Sequence, residues 1–219
     1  MSERSWIRVG IGLLLLSIAT LLYQIVVPKL QPLPIYMTVP ALTLTDQDGQ
    51  PFDLNQTRGK VVILSPIYTH CPDICPLTTG KLKQLQDDLK NAGLNSQVQF
   101  VTFTVDPERD TPDVLKLFSA AFNVDRANWV FLTGTSEQIQ VMITTLGIYV
   151  ERVYYIQNTP FPESTLEQLP TDAFYLVNHS DILFLVDRQG RVRALPPGSR
   201  TDVNDAINLV RQLVENNGG

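Results

Sequence analysis

The order in which apolar runs and amphipathic stretches alternate constrains this chain most. Lys60-Val-Val-Ile-Leu-Ser65, Val98-Gln-Phe-Val-Thr-Phe-Thr-Val105 and Trp129-Val-Phe-Leu132 are short runs rich in β-branched and aromatic residues, as buried strands are. Helical patterns lie between and after them. Leu77, Leu82, Leu85 and Leu89 recur at mostly helical intervals before Gly93. Val114, Leu115, Phe118 and Phe122 follow Thr111-Pro112, a cap and a first-turn proline. Ile139, Met142, Ile143 and Leu146 follow the capping box Thr135-x-x-Gln138 and stop at Gly147. Asp48-Gly49 joins Leu42–Thr45 to Phe52–Leu54 as a hairpin, and Asp187–Gly190 joins Ile182–Val186 to Val192–Ala194 as another. Val203, Ile207, Val210, Leu213 and Val214 give a last amphipathic helix. Alternation of this kind predicts an α/β domain with an N-terminal hairpin and a central mixed sheet flanked by helices. Glu151–Asp172, with Pro160, Pro162 and Pro170, is the least patterned stretch. It reads as a long loop with one candidate strand near Val153–Ile156.

The N-terminal part has a different character. Val9–Val27 is a run without a charge, about the 20 residues that span a bilayer core as a helix. Arg4 and Arg8 precede it and only Lys29 follows closely. The positive-inside bias then predicts a cytoplasmic tip over 1–8, a single-pass anchor in the cytoplasmic membrane over 9–27, and the remainder on the extracytoplasmic, periplasmic side. Trp6 and Tyr23 suit the two interfaces. A cleaved signal peptide is the competing reading; the long apolar run and the large residues Tyr23–Val27 that close it favour an uncleaved anchor. Residues 28–40 carry Pro28, Pro32, Pro34 and Pro40 and read as a stiff spacer, leaving 41–216 as the folded domain. The net charge of −5 and the lack of a basic stripe exclude a nucleic-acid partner.

The chemistry concentrates in Tyr68-Thr-His-Cys-Pro-Asp-Ile-Cys-Pro76, which holds both cysteines and one of the two histidines. Strand, short loop, cysteine, helix is an order that activates thiols: Cys71 falls just before the helix and Cys75 in its first turn, where the helix N-terminus favours negative charge. Residues four apart on a helix have Cβ atoms about 5–6 Å apart, against about 3.5–4.5 Å in a disulfide. The spacing therefore tolerates oxidation but suits chelation better, because a bound metal relaxes the distance. A structural disulfide closing so small a loop removes little chain entropy. For a third ligand the chain offers His70, whose side chain is expected to point away from the pair, and His179 in Val177-Asn-His-Ser-Asp181. Two thiolates and an imidazole make a soft site that suits Cu(I), or Cu(II) with an added ligand; zinc remains open on ligand type.

These residues carry a resemblance. Tyr68–Pro76 resembles the signature of the Sco/SenC family, the membrane-anchored, thioredoxin-like copper proteins of cytochrome c oxidase assembly. Thr104-Val-Asp-Pro-Glu-Arg-Asp-Thr-Pro112 and Val177-Asn-His-Ser180 resemble its second and histidine motifs. The resemblance covers roughly 40–215. It implies a thioredoxin-like fold and one copper held by Cys71, Cys75 and His179, with Asp106 as an acidic neighbour near the metal. It implies a metallochaperone that hands copper to the dinuclear centre of cytochrome c oxidase subunit II. The alternative is a thiol–disulfide reductase in which Cys71 and Cys75 reduce that subunit's cysteines. Other copper donors or thiol–disulfide proteins are the further partners. A one-thiol peroxidase is disfavoured, since no Pro-x-x-x-Thr-x-x-Cys occurs. Two departures stand out: Asn178 where an aspartate often precedes the histidine, and a longer Glu151–Asp172 stretch.

Overall fold

The structure is a computed structural model that describes residues 3–30, 33–156, 159–161 and 174–215. It divides into two compact units, Met1–Leu33 and Pro34–Gly219. The first is one helix, α1 (Glu3–Leu30). Its side chains are described over residues 10–24 and are exposed. Among the described residues no helix is long and apolar enough to cross a membrane. The side chains of Arg4, Trp6, Arg8 and Lys29, which orient the expected anchor, lie outside the described residues.

The second unit is an α/β domain on a mixed sheet of eight strands in the order β1-β11-β10-β4-β5-β6-β2-β3. These are β1 (Met37–Thr38), β2 (Thr43–Asp46), β3 (Pro51–Asp53), β4 (Val61–Ile67), β5 (Val98–Thr104), β6 (Trp129–Thr133), β10 (Phe184–Val186) and β11 (Arg191–Ala194). β4, β5 and β6 are parallel neighbours, and the two hairpins close the sheet antiparallel on either side. Parallel strands are covered on both faces, so they read as continuous apolar runs; every residue of β4 is buried. Phe100, Trp129 and Phe131 stack at 5.0 and 5.5 Å. The Trp129 indole N–H donates to Thr102 Oγ1 at 2.9 Å, which lets a hydroxyl lie in that core.

Helices flank the sheet: α2 (Ile74–Asn91), α3 (Pro112–Ala121), α4 (Ser136–Leu146) and α5 (Val203–Glu215). The expected caps form. Thr111 Oγ1 accepts from Val114 N–H, Thr135 and Gln138 make a reciprocal capping box, and Gly147 ends α4 at φ 63°. Leu77 is exposed, because the buried stripe of α2 runs through Cys75, Thr78, Leu82, Leu85 and Leu89 and position 77 lies off it.

Two expectations are adjusted. The spacer expected over 28–40 is partly ordered structure: residues 28–30 end α1 in the first unit, and Met37–Thr38 pair with β11 in the domain. Tyr36 N–H and Val39 N–H donate to Val192 and Gly190 carbonyls at 2.9 Å each. Pro34 and Pro40, which have no N–H to give to a ladder, lie outside this two-residue edge strand. In the stretch Glu151–Asp172 the candidate strand at Val153–Ile156 is present and starts earlier, at Val150, and a second strand follows it. β7 (Val150–Ile156) pairs with β8 (Thr159–Phe161) and with β9 (Phe174–His179) in a separate antiparallel sheet, in the order β8-β7-β9. The cross-strand pairs Tyr154–Tyr175 and Tyr155–Phe174, each 5.4 Å between ring centroids, supply its packing. Residues 162–173 of that stretch lie outside the described residues.

Candidate metal centre

The site is built where β4 hands over to α2. After Ile67 the chain turns, with Cys71 N–H donating to Tyr68 O at 3.3 Å, and α2 begins at Ile74. Asp73 occupies the N-cap but makes no side-chain capping bond. The first-turn N–H groups of a helix need acceptors, and here a sulfur serves: Cys75 N–H donates to Cys71 Sγ at 3.4 Å. Cys71 is half-buried and Cys75 is 1% exposed; neither is in a disulfide.

His179 arrives from the other sheet. It ends β9 opposite Val150 of β7, and the next residue is fixed by Ser180 N–H donating to Tyr149 O at 3.0 Å. The ring Nδ1 lies 3.1 Å from Ser180 O, which can only accept, so the proton is on Nδ1. Nε2 then keeps its lone pair, and it lies 3.3 Å from Cys75 Sγ. Tyr68, 3% exposed, sets its ring edge-on to the imidazole at 6.0 Å between centroids.

The electrostatics follow from this packing. A hydrogen bond from the Cys75 thiol lowers the Cys71 pKa to about 5 against the effect of burial; backbone N–H groups of Cys75, Asp73 and Ile74 add to it. Cys75 is pushed far up by that same bond and by burial. Burial lowers His179, so its imidazole is neutral. Tyr68 rises to about 12 through burial and the charge on Cys71. One proton, on Cys75, thus faces a thiolate and an imidazole nitrogen, donor types that suit a soft cation. The convergence is pairwise: among the described residues no three His, Cys, Asp or Glu side chains stand close enough to form a ready-made metal cage.

The family model for SCO1/SenC matches residues 36–215. The chain belongs to the SCO1/SenC family. It is 37% identical over 161 residues to a Stutzerimonas stutzeri protein named for copper binding, covering 74% of this chain and 70% of that one. Among solved structures it resembles a SCO1/SenC family lipoprotein from Bacillus anthracis, with TM-score 0.67 and 31% identity over 82% of this chain and 96% of the other. It also resembles BsSco, a member of the Sco family of cytochrome c oxidase assembly proteins with a disulfide switch. That match has TM-score 0.63 and 26% identity, over 85% of this chain and 99% of the other. The thioredoxin-like α/β fold is therefore that of SCO1/SenC proteins.

Asp106 in this SCO1/SenC chain is fully buried, and among the described residues it bonds to neither cysteine nor His179. It accepts from Arg109 Nε, from Tyr175 OH at 2.9 Å and from Arg152 Nη2 at 3.4 Å. Arg109 also donates to Tyr175 O at 2.9 Å and lies 3.6 Å over the Tyr175 ring. Asp106 thus acts on the sheet that carries His179, through Arg109 and Tyr175. Arg109 pairs with Asp106 and Glu108 with Arg152, so the charges of this segment find partners outside the run Glu108–Asp110. Asp110 instead takes Thr69 N–H at 3.0 Å and the hydroxyls of Thr69 and Thr104 at 2.5 and 2.6 Å, bracing the turn before Cys71.

His70 is half-exposed and turned to Thr69 Oγ1 at 3.1 Å and Asp110 at 3.8 Å. Asn178 points to the opposite face of β9 from His179. It donates to Glu151 at 3.4 Å, so aspartate's absence there leaves the His179–Ser180 bond intact. Tyr68, Arg109 and Tyr175 were not singled out from sequence. Tyr68 and Arg109 lie inside quoted motifs; Tyr175 sits in Phe174–Val177, whose strand character was the available signal.

Proposed function

We propose that this chain is a membrane-anchored copper metallochaperone that delivers copper to the dinuclear copper centre of cytochrome c oxidase subunit II, outside the cytoplasmic membrane. Cys71, Cys75 and His179 are its ligands, and copper is its cargo, as Cu(I), or as Cu(II) with a further ligand. The observation that carries the reading is the 3.3 Å approach of His179 Nε2 to Cys75 Sγ across 104 residues of chain, with the nitrogen's lone pair free. Copper binding by a relative's name and the oxidase-assembly role of the BsSco family support it. The uncharged run Val9–Val27 in the sequence supports the anchor. Delivery proceeds by ligand exchange, the acceptor's thiolates and imidazoles replacing the three donors in turn.

A second reading has its own observation: Cys71 is a half-buried thiolate beside a buried, protonated Cys75. As a reductase, Cys71 attacks one sulfur of an acceptor disulfide and releases the other as thiolate. Cys75 then loses its proton, attacks Cys71 in the mixed disulfide and frees the acceptor's second thiolate, leaving the Cys71–Cys75 disulfide.

The test mixes the reduced, Cu(I)-loaded full-length chain, in detergent, with the metal-free copper domain of a subunit II. Copper should move to the acceptor, and His179→Ala should lose copper affinity while keeping thiol exchange. Copper that stays put, or tighter binding of zinc than of copper, refutes the chaperone reading.

A further inference from the structure

The segment that carries His179 is held at one more point. Asp181 Oδ1 accepts from Thr78 Oγ1 at 3.1 Å and from Ser199 N–H at 2.9 Å. Its Oδ2 accepts from Ser199 N–H at 3.0 Å and from Ser199 Oγ at 2.6 Å. The backbone reinforces the attachment: Gly198 N–H donates to Asp181 O at 3.0 Å, and Ile182 bridges Pro197. Thr78 is 4% exposed and lies three residues after Cys75 on α2, so the same helical face carries both. One carboxylate therefore ties three pieces of chain together: the strand end bearing His179, the helix bearing Cys75, and the turn at 197–199.

Two further features mark this as a built contact. A Cβ at Gly198 would run into Asp181 Oδ1, so only glycine leaves the carboxylate its room. The other restraint next to His179, Ser180 on Tyr149, leads back toward β7, which belongs to the same sheet as β9 and cannot fix that sheet against α2. Among the described residues the Thr78–Asp181 bond is the side-chain hydrogen bond that joins this segment to α2 apart from the Cys75–His179 contact itself.

We propose that Asp181 is a positioning residue for His179: it pins the β9–β10 connection to α2 and thereby sets the imidazole at Cys75. The inference rests on Cys71, Cys75 and His179 being the copper ligands. Asp181 bonds to neither Cys75 nor His179 among the described residues, so it acts through the histidine and does not itself hold metal. Loss of residues that orient metal-bound histidines typically weakens metal binding about 10–100-fold.

The test is Cu(I) affinity of the reduced full-length chain, in detergent, by competition with a Cu(I) chelator. It compares wild type, Asp181→Ala, His179→Ala and the double variant. Asp181→Ala should weaken binding about 10–100-fold. The double variant should bind no more weakly than His179→Ala, because a positioning residue has nothing left to position. Gly198→Ala, which crowds the same carboxylate, should weaken binding in the same direction. A metal-free readout runs beside these: the nuclear Overhauser contact between the His179 ring and the Cys75 Hβ protons should disappear in Asp181→Ala. Wild-type affinity with the contact retained overturns the proposal, as does an equal loss in the His179→Ala background. If His179→Ala binds like wild type, the ligand reading falls, and the Overhauser contact alone decides whether Asp181 positions the ring. If Asp181→Ala does not fold, Thr78→Val removes only the bond to α2 and must show the same losses.

Discussion

Arg109→Ala makes the sharpest stability prediction, because the guanidinium performs three jobs at once. It pairs with Asp106, which has no exposed surface; it donates to Tyr175 O at 2.9 Å; and it covers the Tyr175 ring at 3.6 Å. Removing one partner of a buried ion pair costs about 3–5 kcal/mol, because a charge is left without compensation. Asp106 keeps the Tyr175 hydroxyl and the longer contact to Arg152, so the lower end, about 3 kcal/mol, applies. For a domain of this size about 1 kcal/mol moves the melting temperature by about 2–4 °C, so a fall on the order of 6–12 °C is expected. The assay is thermal unfolding of the full-length chain in detergent, with Asp106→Asn as the control. If the penalty is the orphaned carboxylate, Asp106→Asn in the Arg109→Ala background restores part of the loss, since an amide needs no cation. A fall worth less than about 1 kcal/mol, or a double variant less stable than Arg109→Ala, refutes the reasoning.

Other consequences are as concrete. In the reduced, metal-free chain the alkylation rate of Cys71 should be flat above about pH 6 and fall about tenfold per unit below about 5, following the thiolate. Cys75 should react only after unfolding, and a Cys71 rate that rises through pH 9 would contradict this. Burial alone would raise Asp187, but hydrogen bonds from Arg193 and Arg191 outweigh it and hold the carboxyl below its ordinary 3.8. Its stabilising contribution is complete above that value and is lost as pH falls through the lower folded-state value. The acid limb of a urea-midpoint-against-pH curve should therefore be shallower in Asp187→Asn, and an unchanged limb would count against the assignment. Gly147 closes α4 at φ 63° with open space around its α-carbon, so Gly147→Ala should lose about 1–2 kcal/mol from backbone conformation alone. An unchanged urea midpoint would refute that.

Much of the domain was legible because local and tertiary preferences agree. β4, β5 and β6 are continuous apolar runs because neighbours cover both faces. Thr111, Thr135 and Gly147 announce helix ends through their own backbone chemistry. The second sheet was harder to read. Val150–Ile156 mixes Glu151 and Arg152 with aromatics, and its partner β9 begins 18 residues after it ends, so no hairpin signal links β7 to β9. At the site, both cysteines announce themselves by spacing, and His179 by motif. Arg109 and Tyr175 do not, because their meeting depends on how one sheet docks on another, and that register is not encoded in any local period. Asp181 reads as an ordinary polar residue before a strand until Gly198 and Thr78 are seen against it.

The most direct measurement is X-ray absorption at the copper edge on the reduced full-length chain loaded with one Cu(I). The expected first shell holds two sulfurs and one imidazole nitrogen, and the nitrogen vanishes in His179→Ala. A shell of sulfur alone in the wild type, or a nitrogen that survives the substitution, would contradict the site.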